Sequence, residues 1–99
     1  MNSIQLIGRL TKDPQVSSIN VNGASKKVAK YILAVERKSS DGVDYIPCSV
    51  IDKGANWAEN NIKKGTRIGV VGSLRINLYE KNGFTVYKPE IIVSEQYFA

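Results

Sequence analysis

The chain has no histidine, and only one cysteine, one tryptophan and three prolines in 99 residues. Without histidine it lacks the commonest general base and the commonest metal ligand. Cys48 alone closes no internal disulfide, and with no second thiol or imidazole beside it no zinc site is expected. The carboxylates fall mostly in turns and near strand ends, without DxD or ExxE pairing, and their spacing does not gather several around a calcium ion as a metal-dependent nuclease needs. The expectation is a protein that is not an enzyme and uses neither cofactor nor metal. No apolar run approaches the roughly 20 residues that cross a bilayer. "MNSIQLIGRL" has neither the basic start nor the long apolar centre of a signal peptide, and it reads as a first strand. A cytoplasmic protein that does not engage membranes is expected.

What is present is ordinary for a folded chain: 42% apolar and 23% charged residues, enough for one small core and one domain over residues 1–99. Fourteen Lys and Arg against nine Asp and Glu leave a net charge of +5, which favours polyanionic partners and says nothing of fold. No repeat, low-complexity tract or composition shift divides the chain.

Apolar residues alternate in "NSIQLIGRL" and "VAKYILAV", and turn chemistry follows at Asn22-Gly23, Asp41-Gly42 and Asn82-Gly83. Strands are expected near 3–12, 27–37, 43–52, 66–79 and 84–94. Only "KGANWAENNIKK" resists, with Ala55, Ala58 and Ile62 at helical spacing and Lys63, Lys64 and Gly65 as a basic terminus and cap. Five strands with a short helix between the third and fourth describe an all-β OB-fold, a Greek-key barrel that binds oligonucleotides or oligosaccharides across its second and third strands. An SH3-like barrel is the alternative, disfavoured by the helix.

Parity sorts each strand into two faces. In the second, Ala29, Tyr31, Leu33 and Val35 oppose Val28, Lys30, Ile32 and Ala34. In the third, Ile46, Cys48 and Val50 form the apolar set, which makes Cys48 a small buried hydrophobe and leaves Tyr45, Pro47, Ser49 and Ile51 outside. In the fourth, Ile68, Val70, Leu74, Ile76 and Leu78 are assigned to the core, and Ser73, Arg75, Asn77 and Tyr79 to the outside. Lys30, Ile32, Tyr45, Ile51, Arg75 and Tyr79 thus interleave rings, aliphatics and cations on one surface. Unpaired bases stack on rings while cations neutralise phosphates, so this surface suits single-stranded nucleic acid, whereas a duplex hides its bases. The competing reading is that scattered apolar residues occur on any surface.

Other residues take structural readings. Trp57 is assigned to packing under the helix. The two glycines of "RIGVVGSL" mark a barrel bend or close approach, not a phosphate loop. "GASKK" is a lysine-bearing hairpin end, read as a solvated tip with a binding loop as the alternative, and Pro47 inside a strand hints at a bulge or an unpaired stretch.

Together "IGRLTKDPQV", "KVAKYILAVERK", "DYIPCSV", "NIKKGTRIGVVGSLR" and "YEKNGFTVYKPEIIVSE" resemble the bacterial single-stranded DNA-binding protein family of chromosomes, plasmids and phages, from Ile4 to about Phe98. The resemblance implies an OB-fold, protection of single-stranded DNA in replication, recombination and repair, a nucleoid-associated location, and a homo-oligomer, usually a homotetramer, with a dimer as the variant. Outward residues of the first strand such as Ile7 fit such assembly. The family's stacking aromatics fall on Tyr45 and Tyr79. Its third stacking position is Ile51 here, and its fourth falls near Ser39 in a shortened loop. Its phosphate contacts correspond to Lys53, Lys63, Lys64 and Arg75, with Lys30, Arg37 and Lys38 as additions. The family's acidic, phenylalanine-containing tail has no counterpart in "SEQYFA", so tail-mediated recruitment of replication enzymes is not expected. The hairpin "VSSINVNGASKK" is longer than the family norm. The alternative function is an OB-fold protein-interaction module of the primosome-accessory type with weak nucleic-acid binding; an RNA chaperone comes third.

Overall fold

The computed structural model describes residues 1–99. Its elements run β1 (Ile4–Leu10), β2 (Gln15–Val21), β3 (Ala24–Glu36), β4 (Val43–Ile51), α1 (Lys53–Asn61), β5 (Arg67–Lys81) and β6 (Phe84–Phe98). The sheet order is β1-β5-β6-β4-β3-β2, and a second pairing of β1 with β3 closes it. Five strands therefore form the barrel, with the helix between the fourth-ordered β4 and β5, as the OB-fold reading expects. The sixth, β2, lies outside the closure: the long hairpin "VSSINVNGASKK" is itself a ribbon in which Gln15 to Val21 pair with Lys30 to Ala24.

Two ribbons are turned by Asn-Gly pairs in the left-handed region, Asn22 and Gly23 at φ 51° and 82° and Asn82 and Gly83 at φ 52° and 82°. Both-positive φ is the two-residue hairpin geometry that matches strand twist. Asp41-Gly42 is different: it ends a wider loop closed by Arg37 N–H donating to Gly42 O at 3.1 Å.

The core lies inside the barrel, with Leu33, Ile68 and Val70 wholly buried and Cys48 nearly so. The helix caps one end with Ala55 and Ala58, and Ile62 just after it joins the same core. It stops at Asn61, before the lysines expected to form its last turn, because Ile62 is already extended. Trp57 packs on the core and meets Phe98 with ring centroids 5.2 Å apart.

Three expectations are corrected. Leu74, Ile76 and Leu78 share the face of Ile68 and Val70 but are 41%, 45% and 62% exposed. Beyond Gly72 the β5–β6 ribbon leaves the barrel, so the alternation continues while the core does not. Pro47 makes no bulge, since the β3–β4 register runs unbroken through Ile32↔Pro47. Ile32 O accepts from Thr11 on the opposite edge, so this pair exchanges no ladder bond and the missing N–H of proline costs nothing there. Lys26 and Lys27 are not a bare solvated tip; they reach Asp52 and Glu59 at 3.2 and 2.7 Å.

The glycines of β5 are close-approach positions. A Cβ on Gly72 would lie 2.2 Å from Ile92 O, and one on Gly69 2.6 Å from the Tyr97 ring. The β5–β6 register shifts beside Gly72, leaving Ser94 unpaired with its Oγ donating to Val71 O at 3.0 Å. That extra residue reverses the facing of β6: Ile91 and Val93 are on the core side before it, and after it Gln96 and Phe98 are, opposite Val70 and Ile68, with Phe98 at the rim and 60% exposed.

Candidate nucleic-acid interface

The outer face of β3 and β4 follows from register, because directly opposed residues share a face. Lys30 faces Ser49, Ile32 faces Pro47, Ala34 faces Tyr45 and Val28 faces Ile51. Tyr45 is 66% exposed, Ile51 47% and Ile32 42%, although Val28, opposite Ile51, is buried. β6 then joins the free edge of β4 in parallel, at Cys48↔Ile91 and Ser49↔Ile92. The outer face therefore continues through Ile92 and Glu90 onto the ribbon, where Arg75 opposes Glu90, Asn77 opposes Lys88 and Tyr79 opposes Val86.

A groove of about 480 Å³ occupies the junction. Lys30, Ile32 and Pro47 line it from β3 and β4, Asn77, Lys88 and Glu90 from the ribbon, and Thr11, Lys12, Asp13 and Gln15 from the β1–β2 side. The last wall is fixed in place: Thr11 N–H and Oγ1–H both donate to Ile32 O at 3.0 Å. Asp13 Oδ1 accepts the Lys64 N–H at 2.8 Å, which ties the Lys63–Lys64 turn to the groove's edge.

Of the residues expected at the site, Lys30 and Ile32 line the groove and Tyr45, Ile51, Arg75 and Tyr79 belong to the sheet face that contains it. Lys63 and Lys64 are exposed at the turn just described. Lys53 opens the helix beside Asp52, apart from the groove lining. Arg37 and Lys38 are not brought in. They line a second depression with Ile7 and Tyr97, and the Arg37 guanidinium donates to Asp44 Oδ1 from Nε at 3.1 Å and Nη2 at 3.0 Å.

Beneath the face, burial pushes the Cys48 thiol up to about 12, with the charge of Glu90 adding to it. Burial also raises Tyr31, with Cys48 contributing. Neither group carries charge into the groove near neutrality.

The model of the single-strand binding protein family matches residues 1–99. The chain belongs to that family. Among its relatives, a single-stranded DNA-binding protein of Clostridium tetani is 39% identical over 99% of this chain and 70% of its own length. One of Staphylococcus epidermidis is 34% identical over 94% of this chain and 72% of its own. Single-stranded DNA-binding protein 1 of Clostridium acetobutylicum is 33% identical over 99% of this chain and 93% of its own. As a member of a family of binding proteins, the chain is not an enzyme.

Within this single-strand binding family member, sequence reasoning missed Lys12, Gln15, Asn77, Lys88 and Glu90 as groove residues. The signal for three of them was available. Counting outward from the two-residue turn at Asn82-Gly83 puts Lys88 opposite Asn77 and Glu90 opposite Arg75. Lys12 and Gln15 carry no such mark, since their place depends on how the β1–β2 connection folds back. No helix of the chain is long and apolar enough to cross a membrane.

Proposed function

We propose that the chain binds and protects single-stranded DNA, as a single domain over residues 1–99, in replication, recombination and repair. The observation that carries this reading is the continuous outer face on which exposed Tyr45 and Tyr79 flank a groove lined by Lys12, Lys30 and Lys88. Bases stack on the two tyrosines and lie against Ile32 and Ile51, while the lysines and Arg75 neutralise phosphates, with Lys63 and Lys64 at the edge. Stacking is sequence-tolerant because every base has a π-face, so strands of any sequence are bound. Names of the relatives support the same ligand. The chain acts as a homo-oligomer, a homotetramer or dimer, and exposed Ile7 and Tyr97 supply apolar surface for it; light scattering reports the mass.

The test is fluorescence anisotropy of labelled oligo-dT across a salt series, with duplex DNA and oligo-U as competitors. Binding that duplex does not displace, with log affinity falling by about 0.7 per phosphate contacted against log salt, supports the reading. Equal preference for duplex, or no binding at low salt, overturns it. A second reading, the protein-interaction module, draws on the exposed apolar side of the ribbon at Leu74, Ile76, Leu78 and Tyr87. It predicts weak DNA binding and one specific protein partner.

A further inference from the structure

Phe84 is 74% exposed, more than any other large apolar side chain except Met1. It stands at the tip of the β5–β6 ribbon, directly opposite Lys81 and next to the Asn82-Gly83 turn. The turn does not need it, because Asn-Gly alone supplies the two positive-φ residues of this hairpin geometry. It belongs neither to the core cluster nor to the side chains packed against that cluster. The ring therefore has no packing role within the chain.

Register decides which face it is on. From Ser73↔Ile92 to Lys81↔Phe84 the β5–β6 pairing runs without a shift, and directly opposed residues share a face. Tyr79 with Val86 and Lys81 with Phe84 therefore lie on the side of Asn77 and Lys88, which line the groove. Phe84 is the diagonal neighbour of Tyr79, a separation of about 7 Å. The two rings do not pack on each other, since the chain's aromatic pair is Trp57 with Phe98, so each keeps its faces for a ligand. Charge changes along the same face. Near the barrel Arg75 is opposed by Glu90, whose carboxylate also accepts from Asn77. At the tip Lys81 is surrounded on its side by Tyr79, Phe84 and Val86, while Glu80 falls on the opposite face. Lys81 takes part in none of the chain's three ion pairs.

We propose that the ribbon tip is a further stacking station for single-stranded DNA, in which Phe84 stacks the base beside the one on Tyr79 and Lys81 neutralises the adjoining phosphate. An exposed ring next to an unpaired cation is the combination that suits an unpaired base and its backbone. This rests on the single-strand reading of the same face and carries the bound strand from the groove out along the ribbon. Asn77 at the groove and Lys81 at the tip are separated by roughly 13 Å of strand, so an oligonucleotide that leaves the groove in this direction reaches the ring.

The test measures labelled oligo-dT by anisotropy with the full chain and with Phe84→Ala, Phe84→Leu and Phe84→Tyr, alongside melting temperature and light-scattering mass. Phe84→Ala and Phe84→Leu should each weaken binding about fivefold or more, with parent-like melting, while Phe84→Tyr binds like the parent. In Phe84→Trp, oligo-dT should quench emission beyond any change shown by Trp57 in the parent, because a stacked base lies on the new indole. Lys81→Ala should lower the slope of log affinity against log salt by about 0.7. Parent-like binding by Phe84→Ala overturns the station and leaves single-strand binding intact; no binding by the parent overturns both. Full affinity in Phe84→Leu shows apolar contact without stacking, and loss of mass together with affinity in Phe84→Ala shows that the ring holds a second copy; either result rejects the proposal.

Discussion

The hydroxyl of Tyr31 donates to Gln96 Oε1 at 2.8 Å, and Gln96 Nε2 passes the contact on to Gly54 O at 3.0 Å. One side chain of β6 thereby connects a barrel tyrosine, 4% exposed, to the start of α1. Tyr31→Phe keeps the ring and leaves Gln96 Oε1 short of a donor in a partly buried place. A loss of about 1–2 kcal/mol is expected in urea denaturation, with Gln96→Leu milder if both polar ends are removed together with Tyr31→Phe.

Tyr45 and Tyr79 are exposed and their truncation exposes no core. Tyr45→Ala and Tyr79→Ala should each weaken oligo-dT binding by about 1–3 kcal/mol, with melting temperatures close to that of the parent. Unchanged affinity removes the ring from the site; a collapsed melting transition makes it structural.

Lys30 and Lys88 face the same groove from different strands. If each meets a phosphate, Lys30→Ala or Lys88→Ala should reduce the slope of log affinity against log salt by about 0.7. Lys53→Ala, outside the groove lining, should change it less.

Alkaline pH should unfold the chain early. Cys48 moves from an ordinary 9.0 to about 12, so the native state keeps a proton that the unfolded chain has released. The unfolded state then binds fewer protons, and stability is full below about pH 9 and is lost as pH rises towards about 12. Tyr31, raised for the same reason, acts in the same direction above its ordinary 10.0. Denaturation midpoints measured through this window should fall more steeply for the parent than for Cys48→Ala, and Cys48 should resist thiol reagents until the chain unfolds.

Gly72 has no room for a side chain, since a Cβ would sit 2.2 Å from a backbone oxygen of Ile92. Gly72→Ala should therefore part β5 from β6 at the bulge and cost more than the roughly 1 kcal/mol typical of a point substitution. Calorimetry decides it; a parent-like melting temperature removes the close approach as a constraint.

The barrel was legible because its signals are local. Alternation in β3 and β4, Asn-Gly turns, and the helical spacing of Ala55, Ala58 and Ile62 each state their own element. The outward facing of Tyr45 and Tyr79 followed from parity, and both are exposed. What was not legible depends on chain far away in sequence. Alternation in β5 continues through Leu74, Ile76 and Leu78, and only the place where the barrel ends makes those positions wet. The hairpin "VSSINVNGASKK" was visible from Asn22-Gly23, but β2 was not assigned as a strand, since "SSIN" has little apolar content and its order comes from pairing with β3. Arg37 looked free until its loop folded Asp44 against it.

The ribbon that leaves the barrel at Gly72 has a kinetic signature. From Leu74 to Phe84 its amides are held by cross-strand partners, with little core beneath them, whereas amides around Ile68 and Val70 are sealed inside the closed sheet. Hydrogen–deuterium exchange should thus fall into two classes along one continuous strand, fast toward Asn82 and slow toward Arg67. The fast half is also the half that carries Tyr79, so a ligand gripping it would slow its exchange while leaving the barrel's unchanged.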